Sequence, residues 1–319
     1  MIQTTVIIAA WNAERSVARS VRSAAAQGDV EVVVADDAST DGTVAAAAAT
    51  GLARVLRAPA NGGPAAARNR ALDAATGDWV AVLDSDDTMA PGRVPRMIAL
   101  AAEWGADVVL GNVRRTDEAG RWLDPQPFLS GKAHAAARAY GLADYVAGNL
   151  VVPGSRPLGY LKPLLRRAFL DRHGIRYDET LRNGEDTHLI LAVLAAGGRV
   201  VFAPEADYHY VSRRGSISHR VDPAHLVALV AADDRFVDRH GGTMSSDVRA
   251  LFARRRHALN RLRISEEILQ SLKARRTGTA LAGLWRHPTI ATRVVRQLAA
   301  AARNRLAAPQ LRADPRSPD

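Results

Sequence analysis

The stretch DWVAVLDSDD, residues 78–87, carries an uncharged apolar run, WVAVL (79–83), followed at once by three carboxylates, Asp84, Asp86 and Asp87. Its apolar part, bounded by turn-forming residues, reads as a strand buried in a parallel sheet. Close carboxylates repel and raise one another's pKa, so acids crowded at a strand end imply a cation held there. Working outward, the same rhythm recurs. TTVIIAAW (4–11) reads as the first strand, with a helical pattern from Ala13 to Gln27 in which Val17 and Val21 are four apart. VEVVVADDAST (30–40) is the second strand and GTVAAAAATG (42–51) its helix. ARVLRAP (53–59) is a short third strand, NGGPAAARNRALDAAT (61–76) a Gly/Pro loop running into a helix, and DWVAVLD (78–84) the fourth strand. Strands alternating with helices predict βαβ units and a mostly parallel sheet, an α/β fold.

The chain of 319 residues is 47% hydrophobic, enough for one large α/β domain and a smaller appendage. Without cysteine it has no disulfide, thiolate metal site or Cys nucleophile, which suits a reducing cytoplasm. The N-terminus lacks a basic region ahead of its short apolar run and reads as a strand, not a signal peptide. No segment approaches the length of a membrane-spanning helix. The net charge of +10 is unevenly spread. Residues 1–248 hold 27 Lys and Arg against 29 Asp and Glu, whereas residues 249–319 hold 16 against 4. A near-neutral body with a basic C-terminal part suggests two regions with different partners.

Ligands bind outside the carboxyl ends of strands in open parallel sheets. Asp36 and Asp37 end the second strand, and Asp84, Asp86 and Asp87 the fourth, so both clusters should meet in one crevice. The plainer reading makes residues 36–41 a capping loop and Asp87 or Thr88 a helix N-cap. The D-x-D spacing offers hard oxygen ligands to Mg²⁺ or Mn²⁺, ions that keep coordination positions for substrate phosphates. An acid followed by STDG at the second strand is placed for a nucleobase or ribose. Together the clusters point to a nucleotide-activated substrate.

VIIAAWNAERSVARSVRSAAAQ (6–27), VEVVVADDASTDGT (30–43), NGGPAAARNRAL (61–72) and GDWVAVLDSDD (77–87) resemble the family 2 glycosyltransferases of the GT-A fold. LRNGEDTHLILAVLAAGGRVVFAPEADYHYVSRRGSISH (181–219) is similar to that family's second half, so the likeness covers about residues 1–220. LGYLKPLLRRAFLDRHGIRYDETL (158–181) further resembles bacterial glucosyltransferases of the succinoglycan-assembling type. The resemblance implies a Rossmann-like GT-A domain over residues 1–222, and the remaining 223–319 read from their charge and apolar spacing as a basic helical extension. It implies that Asp37, beside Asp36, binds the base, that Asp84 lies on the ribose side, and that Asp86 is the metal ligand. Arg68 falls where the family lines the nucleotide pocket, and Trp11 where it often has a Tyr.

An inverting transfer needs a carboxylate to take the acceptor hydroxyl's proton. Glu185 and Asp186 open an apolar-periodic helix, where acids are also favoured simply by the helix's positive end. The family's ED motif implies Asp186 as the base, with Glu185 orienting it or touching the acceptor. In YHYVSRRGSISH (208–219), His209 is a candidate third metal ligand and Arg213 and Arg214 candidate diphosphate contacts. His209 alternates with Tyr208 and Tyr210 as in a strand, so a merely structural place is the competing reading. Tyr160 and Lys162 are candidate acceptor contacts, with apolar packing the competing reading for Tyr160. A hydrolase elbow, a P-loop and a dinucleotide G-x-G-x-x-G are all absent. A sugar nucleotidyltransferase would carry a Gly-rich basic loop after the first strand, where AAWNAERS stands.

From about Pro223 the chain reads as helical, with Leu251, Ala258, Leu262, Leu269 and Leu272, then Ile290, Val294, Leu298, Ala302 and Leu306, near helical spacing. Arg293, Arg296 and Arg303 lie on other faces. These stripes either pack on the catalytic domain or seat the protein on an anionic membrane surface at the cell's inner face. With one aromatic in the last sixty residues, Trp285, nucleic acid is not an expected partner. The expected function is a metal-dependent transfer from a nucleotide sugar, UDP-glucose or a relative, to a saccharide or lipid-linked acceptor in surface or exopolysaccharide synthesis. The alternatives are a non-catalytic GT-A-like scaffold, another sugar donor, or a protein or teichoic-type acceptor.

Overall fold

A computed structural model of the chain describes residues 3–152, 154–212, 222–297 and 299. The strands are β1 (Thr4–Ala10), β2 (Val30–Asp36), β3 (Arg54–Arg57), β4 (Trp79–Asp84), β5 (Thr88–Met89), β6 (Val108–Thr116), β7 (Arg138–Tyr140), β8 (Lys162–Arg166) and β9 (Val200–Val211). Between them lie helices α1 (Val17–Ala25), α2 (Thr43–Ala48), α3 (Pro64–Ala74), α4 (Arg93–Trp104), α5 (Leu142–Gly148), α6 (Arg167–His173) and α7 (Glu185–Ala195). They are followed by α8 (Pro223–His240), α9 (Ser246–Lys273) and α10 (Thr277–Arg286).

The strands form one sheet in the order β3-β2-β1-β4-β8-β6-β9-β5, with β7 paired to β9. The first four run parallel, as the βαβ reading predicts. β8 enters antiparallel between β4 and β6, while β6 and β9 are again parallel. Alternation along the strands divides the core in two. Ile7, Val33, Val80, Val82 and Leu110 face a cluster with Ala67, Ala71 and Leu72 of α3 and Leu189 of α7. Val6, Ile8, Val34, Leu83 and Val109 face the other, with Val17 and Val21 of α1 and Met97 of α4. α7 is buried along most of its length, which explains its nearly continuous apolar sequence after the two opening acids.

The described residues fall into two compact units, one within 1–220 and 228–258, the other within 221–227 and 259–319. The division therefore differs from a boundary at 222/223. Phe236 of α8 and Val248 and Phe252 of α9 belong to the same apolar cluster as α7. For this stretch the apolar stripes pack on the first unit. In the second unit Ile268, Leu269, Ala280, Ile290 and Val294 form a small core of their own. Leu298, Ala302, Arg303 and Leu306 lie outside the described residues. Among the described residues no helix is long and apolar enough to cross a membrane.

Candidate active site

The register of the central strands puts both acid clusters around one strand tip. Ala10 at the end of β1 pairs with Asp36, and Ala9 with Asp84. With neighbouring strands about 4.8 Å apart, the two clusters flank β1 at about 10 Å from each other. Trp11 leaves that tip half-exposed. The loops after β1 and β2 are laced together: Asn12 N–H donates to Ser39 Oγ, and Ala13 N–H to Thr43 Oγ1.

Asp37 organises the next loop. Its carboxylate accepts the main-chain N–H groups of Gly62 at 2.8 Å and Gly63 at 2.7 Å. Gly63 has φ of +93°, a left-handed conformation that favours glycine, and a Cβ there would meet the Arg182 guanidinium at 2.5 Å. Pro64 then begins α3 with its φ already helical. Asp36 is fully buried; Oδ2 accepts from Ser39 N–H, while Oδ1 has no hydrogen-bond partner.

One turn into α3, Arg68 meets the second cluster. Its guanidinium donates to Asp84 at 2.7 Å and to Glu185, and lies 3.5 Å from Asp186. Lys162, the first residue of β8, lies 2.7 Å from the other oxygen of Asp84 and 3.4 Å from Asp186 Oδ2. Three carboxylates and two cations thus form one network, with Arg68, Lys162, Glu185 and Asp186 all buried. Burial alone would raise the Asp84 pKa, but Lys162 and Arg68 outweigh it and hold the carboxyl well below the ordinary range. Burial alone would lower the Lys162 pKa, and Asp84 and Asp186 reverse that, raising it. Tyr177 stacks under Arg68, its ring centroid 5.5 Å from the guanidinium carbon, and burial pushes its phenol pKa up. Asp186 Oδ1 is buried and has no hydrogen-bond partner.

The remaining acids after β4 divide their work. Asp87 accepts from the Tyr208 hydroxyl at 2.8 Å and Val211 N–H at 2.7 Å, while Asp84 N–H donates to the Tyr208 hydroxyl at 3.0 Å. Burial, then Asp86 and Asp84, raise the Asp87 pKa. Asp87 therefore locks the acidic loop to β9 and caps no helix; α4 begins after Gly92 instead. The Asp86 carbonyl accepts from Arg19 at 3.1 Å.

The expected three-ligand metal set of Asp84, Asp86 and His209 is not assembled. Among the described residues no group of three or more His, Asp or Glu side chains could hold a metal. Strand alternation sends His209 to the face opposite Tyr208, where its ring meets Trp122 edge-on at 5.0 Å and burial lowers its pKa. Asp84 is engaged by two cations and Asp87 by Tyr208 and Val211 N–H. One carboxylate beside a diphosphate still suits Mg²⁺ or Mn²⁺, which bind proteins through one or two carboxylates and fill their remaining positions with phosphate and water. Arg213 and Arg214 lie outside the described residues. Tyr160 is half-exposed and packs against Phe128, at 5.5 Å between ring centroids.

Sequence reasoning left Lys162 among acceptor contacts and overlooked Tyr177 and Tyr208. The available signal was a lone lysine opening the apolar run KPLLR. A second buried group was also missed: Asp233 of α8 receives Arg255 Nε of α9 at 2.8 Å and lies 3.1 Å from His188 Nε2 of α7. Arg255 also donates to the Asn149 carbonyl, tying α5, α7, α8 and α9 together behind the acidic helix start.

A family model described as Glycosyl transferase family 2 matches residues 5–152. The chain is 40% identical over 240 residues to the succinoglycan biosynthesis protein ExoO of Rhizobium meliloti (strain 1021), covering 74% of this chain and 68% of that protein. It is 38% identical over 266 residues to ExoU of the same organism, covering 79% and 73%. Among solved structures, S. aureus TarS 1–349 in complex with UDP-GlcNAc aligns with a TM-score of 0.59 at 20% identity, covering 90% of this chain and 92% of that one. That likeness carries the GT-A fold.

Proposed function

The chain belongs to glycosyltransferase family 2, and on that premise we propose that it moves a sugar from a nucleoside-diphosphate donor to a saccharide acceptor, with inversion, in exopolysaccharide synthesis. The pathway reading rests on the names of ExoO and ExoU. A UDP donor is supported by TarS structures in complex with UDP and UDP-GlcNAc, and glucose with a lipid-linked acceptor is the finer form of the proposal. It sets aside the non-catalytic scaffold, which no specific observation favours.

The observation that carries the reading is Asp186. Lys162 lies 3.4 Å from Oδ2 and Arg68 3.5 Å from Oδ1, and Oδ1 makes no hydrogen bond, so the carboxylate is held in place by two cations while Oδ1 keeps its accepting capacity for the acceptor's proton. In the proposed reaction the acceptor hydroxyl attacks the anomeric carbon from the face opposite the diphosphate. Its proton passes to Asp186 Oδ1 as the bond between that carbon and the diphosphate oxygen breaks. Glu185, held by Arg68, keeps the helix start in place. Asp37 borders the base side with the fully buried Asp36 behind it, Trp11 supplies an apolar wall, and Asp84, held by Arg68 and Lys162, stands on the ribose side. Asp86 would hold Mn²⁺ or Mg²⁺ together with the donor's phosphates, a Lewis acid for the charge that builds on the leaving diphosphate.

Release of nucleoside diphosphate from UDP-, GDP- and dTDP-sugars, with and without added acceptor glycolipid extract, tests the assignment. UDP-sugar turnover is expected. Asp186→Asn should lose at least about 10²-fold in transfer while UDP still binds. Near-normal turnover by that variant would remove Asp186 from the role.

A further inference from the structure

The second unit carries a surface that transfer chemistry does not use. Residues 268–297 contain six Lys and Arg and no Asp or Glu. Just before them, Glu267 is paired with Arg263 at 2.6 Å, and Glu266 accepts from Gln297 at 3.0 Å. The unit's own core uses one side of α10: Ala280 is fully buried beside Ile268, and Leu284 packs partly against the same cluster. Gly283 also lies against Ile268, where an added Cβ would be 2.9 Å from its side chain. The other side of the helix is apolar as well, yet uncovered. Leu281 and Trp285, one helical turn apart, are 65% and 84% exposed, and Val295 is 62% exposed. Lys273, Arg275, Arg276 and Arg286 are exposed at the two ends of α10.

We propose that this face of α10 docks on an anionic membrane surface, with Leu281 and Trp285 entering the headgroup region and the flanking Lys and Arg meeting lipid phosphates. Charge complementarity selects the occupant: a run of cations without a single acid is attracted to anionic lipid, and each basic group adds to the binding. The tryptophan fits the same place, since its ring is apolar and its N–H seeks a polar partner at the headgroup level. The helix is ten residues long. At about 1.5 Å per residue it reaches about 15 Å, half of a bilayer core, so it lies along the interface and does not cross it. Single-stranded nucleic acid is disfavoured because Trp285 is the one aromatic residue in 259–297, which leaves no series of stacking platforms.

The test uses the full-length chain and vesicle flotation, and it does not depend on transfer activity. Vesicles of phosphatidylcholine mixed with phosphatidylglycerol should carry the protein at low salt, pure phosphatidylcholine vesicles should not, and high salt should release it. Leu281→Ser combined with Trp285→Ser should lower partitioning by at least about ten-fold, since both side chains lose their apolar contact with lipid. Arg275→Gln combined with Arg276→Gln should lower it by about five-fold per charge removed. All four positions are exposed, and the Gln pair decides the matter should the Ser pair melt abnormally. The proposal is overturned if wild-type protein ignores anionic vesicles, or if both double variants float like wild type. It is equally overturned if the Ser pair only converts a dimer to a monomer, or if an oligonucleotide displaces the protein from vesicles at lower concentration than free phosphatidylglycerol micelles do.

Discussion

Replacing Lys162 by Met tests the buried charge network at its centre. The side chains are of similar length, so the change removes the charge and leaves the packing nearly intact. In the native protein Lys162 lies 2.7 Å from Asp84 and 3.4 Å from Asp186. At an effective dielectric of about 20, Coulomb's law gives about 6 and about 5 kcal/mol for those contacts. Much of this is offset because the lysine no longer has to leave water. What survives is the cost of leaving buried carboxylates without their cation, about 3–5 kcal/mol. The network's net charge falls from −1 to −2, so one carboxylate should then take up a proton in the folded state near neutrality. Its folded pKa would lie above the unfolded value of about 3.9, the folded state would bind more protons, and stability would fall as pH rises. The variant should therefore regain part of its deficit between about pH 7 and pH 4. In the wild type the opposite sign holds, because the Asp84 pKa is depressed. Its contribution is present above the unfolded pKa and is lost only in strong acid. Urea unfolding followed by circular dichroism, with a double-mutant cycle against Asp84→Asn, measures both effects. A deficit under about 1 kcal/mol, additive with Asp84→Asn and flat with pH, would refute the network as described.

Gly63→Ala should destabilise the fold by about 1–3 kcal/mol and weaken UDP binding, since φ is +93° and Arg182 occupies the space a Cβ needs; thermal melting and nucleotide titration check it. Arg255→Met leaves Asp233 buried without its strongest partner and should cost about 3–5 kcal/mol in denaturant unfolding, more than any exposed arginine of α9. Removing divalent ions with EDTA should abolish donor turnover, and added Mn²⁺ or Mg²⁺ should restore it in wild type but not in Asp86→Ala; metal-independent release of UDP would refute the single-carboxylate site. Tyr208→Phe should loosen the acidic loop by about 1–3 kcal/mol, because Asp87 and the Asp84 N–H both lose the hydroxyl; unfolding curves read it.

The alternation of strands and helices through residue 84, and the acids at two strand tips, were legible in the sequence because they are local. A run such as TTVIIAA declares itself within seven residues, and its neighbours in a βαβ unit follow by handedness and short connections. Glu185 and Asp186 at a helix start were legible for the same reason. What tertiary structure alone decided is which charges meet. Lys162 reaches Asp84 because β8 inserts antiparallel beside β4, a strand order that no local periodicity encodes. Asp87 became a lock, and His209 was turned away from the acids, because Tyr208 is the β9 residue facing that loop, 121 positions along the chain from Asp87. Side-chain period and turn chemistry act over a few residues, whereas a buried ion pair forms only where the sheet brings distant segments within about 4 Å, and that choice belongs to the packed core.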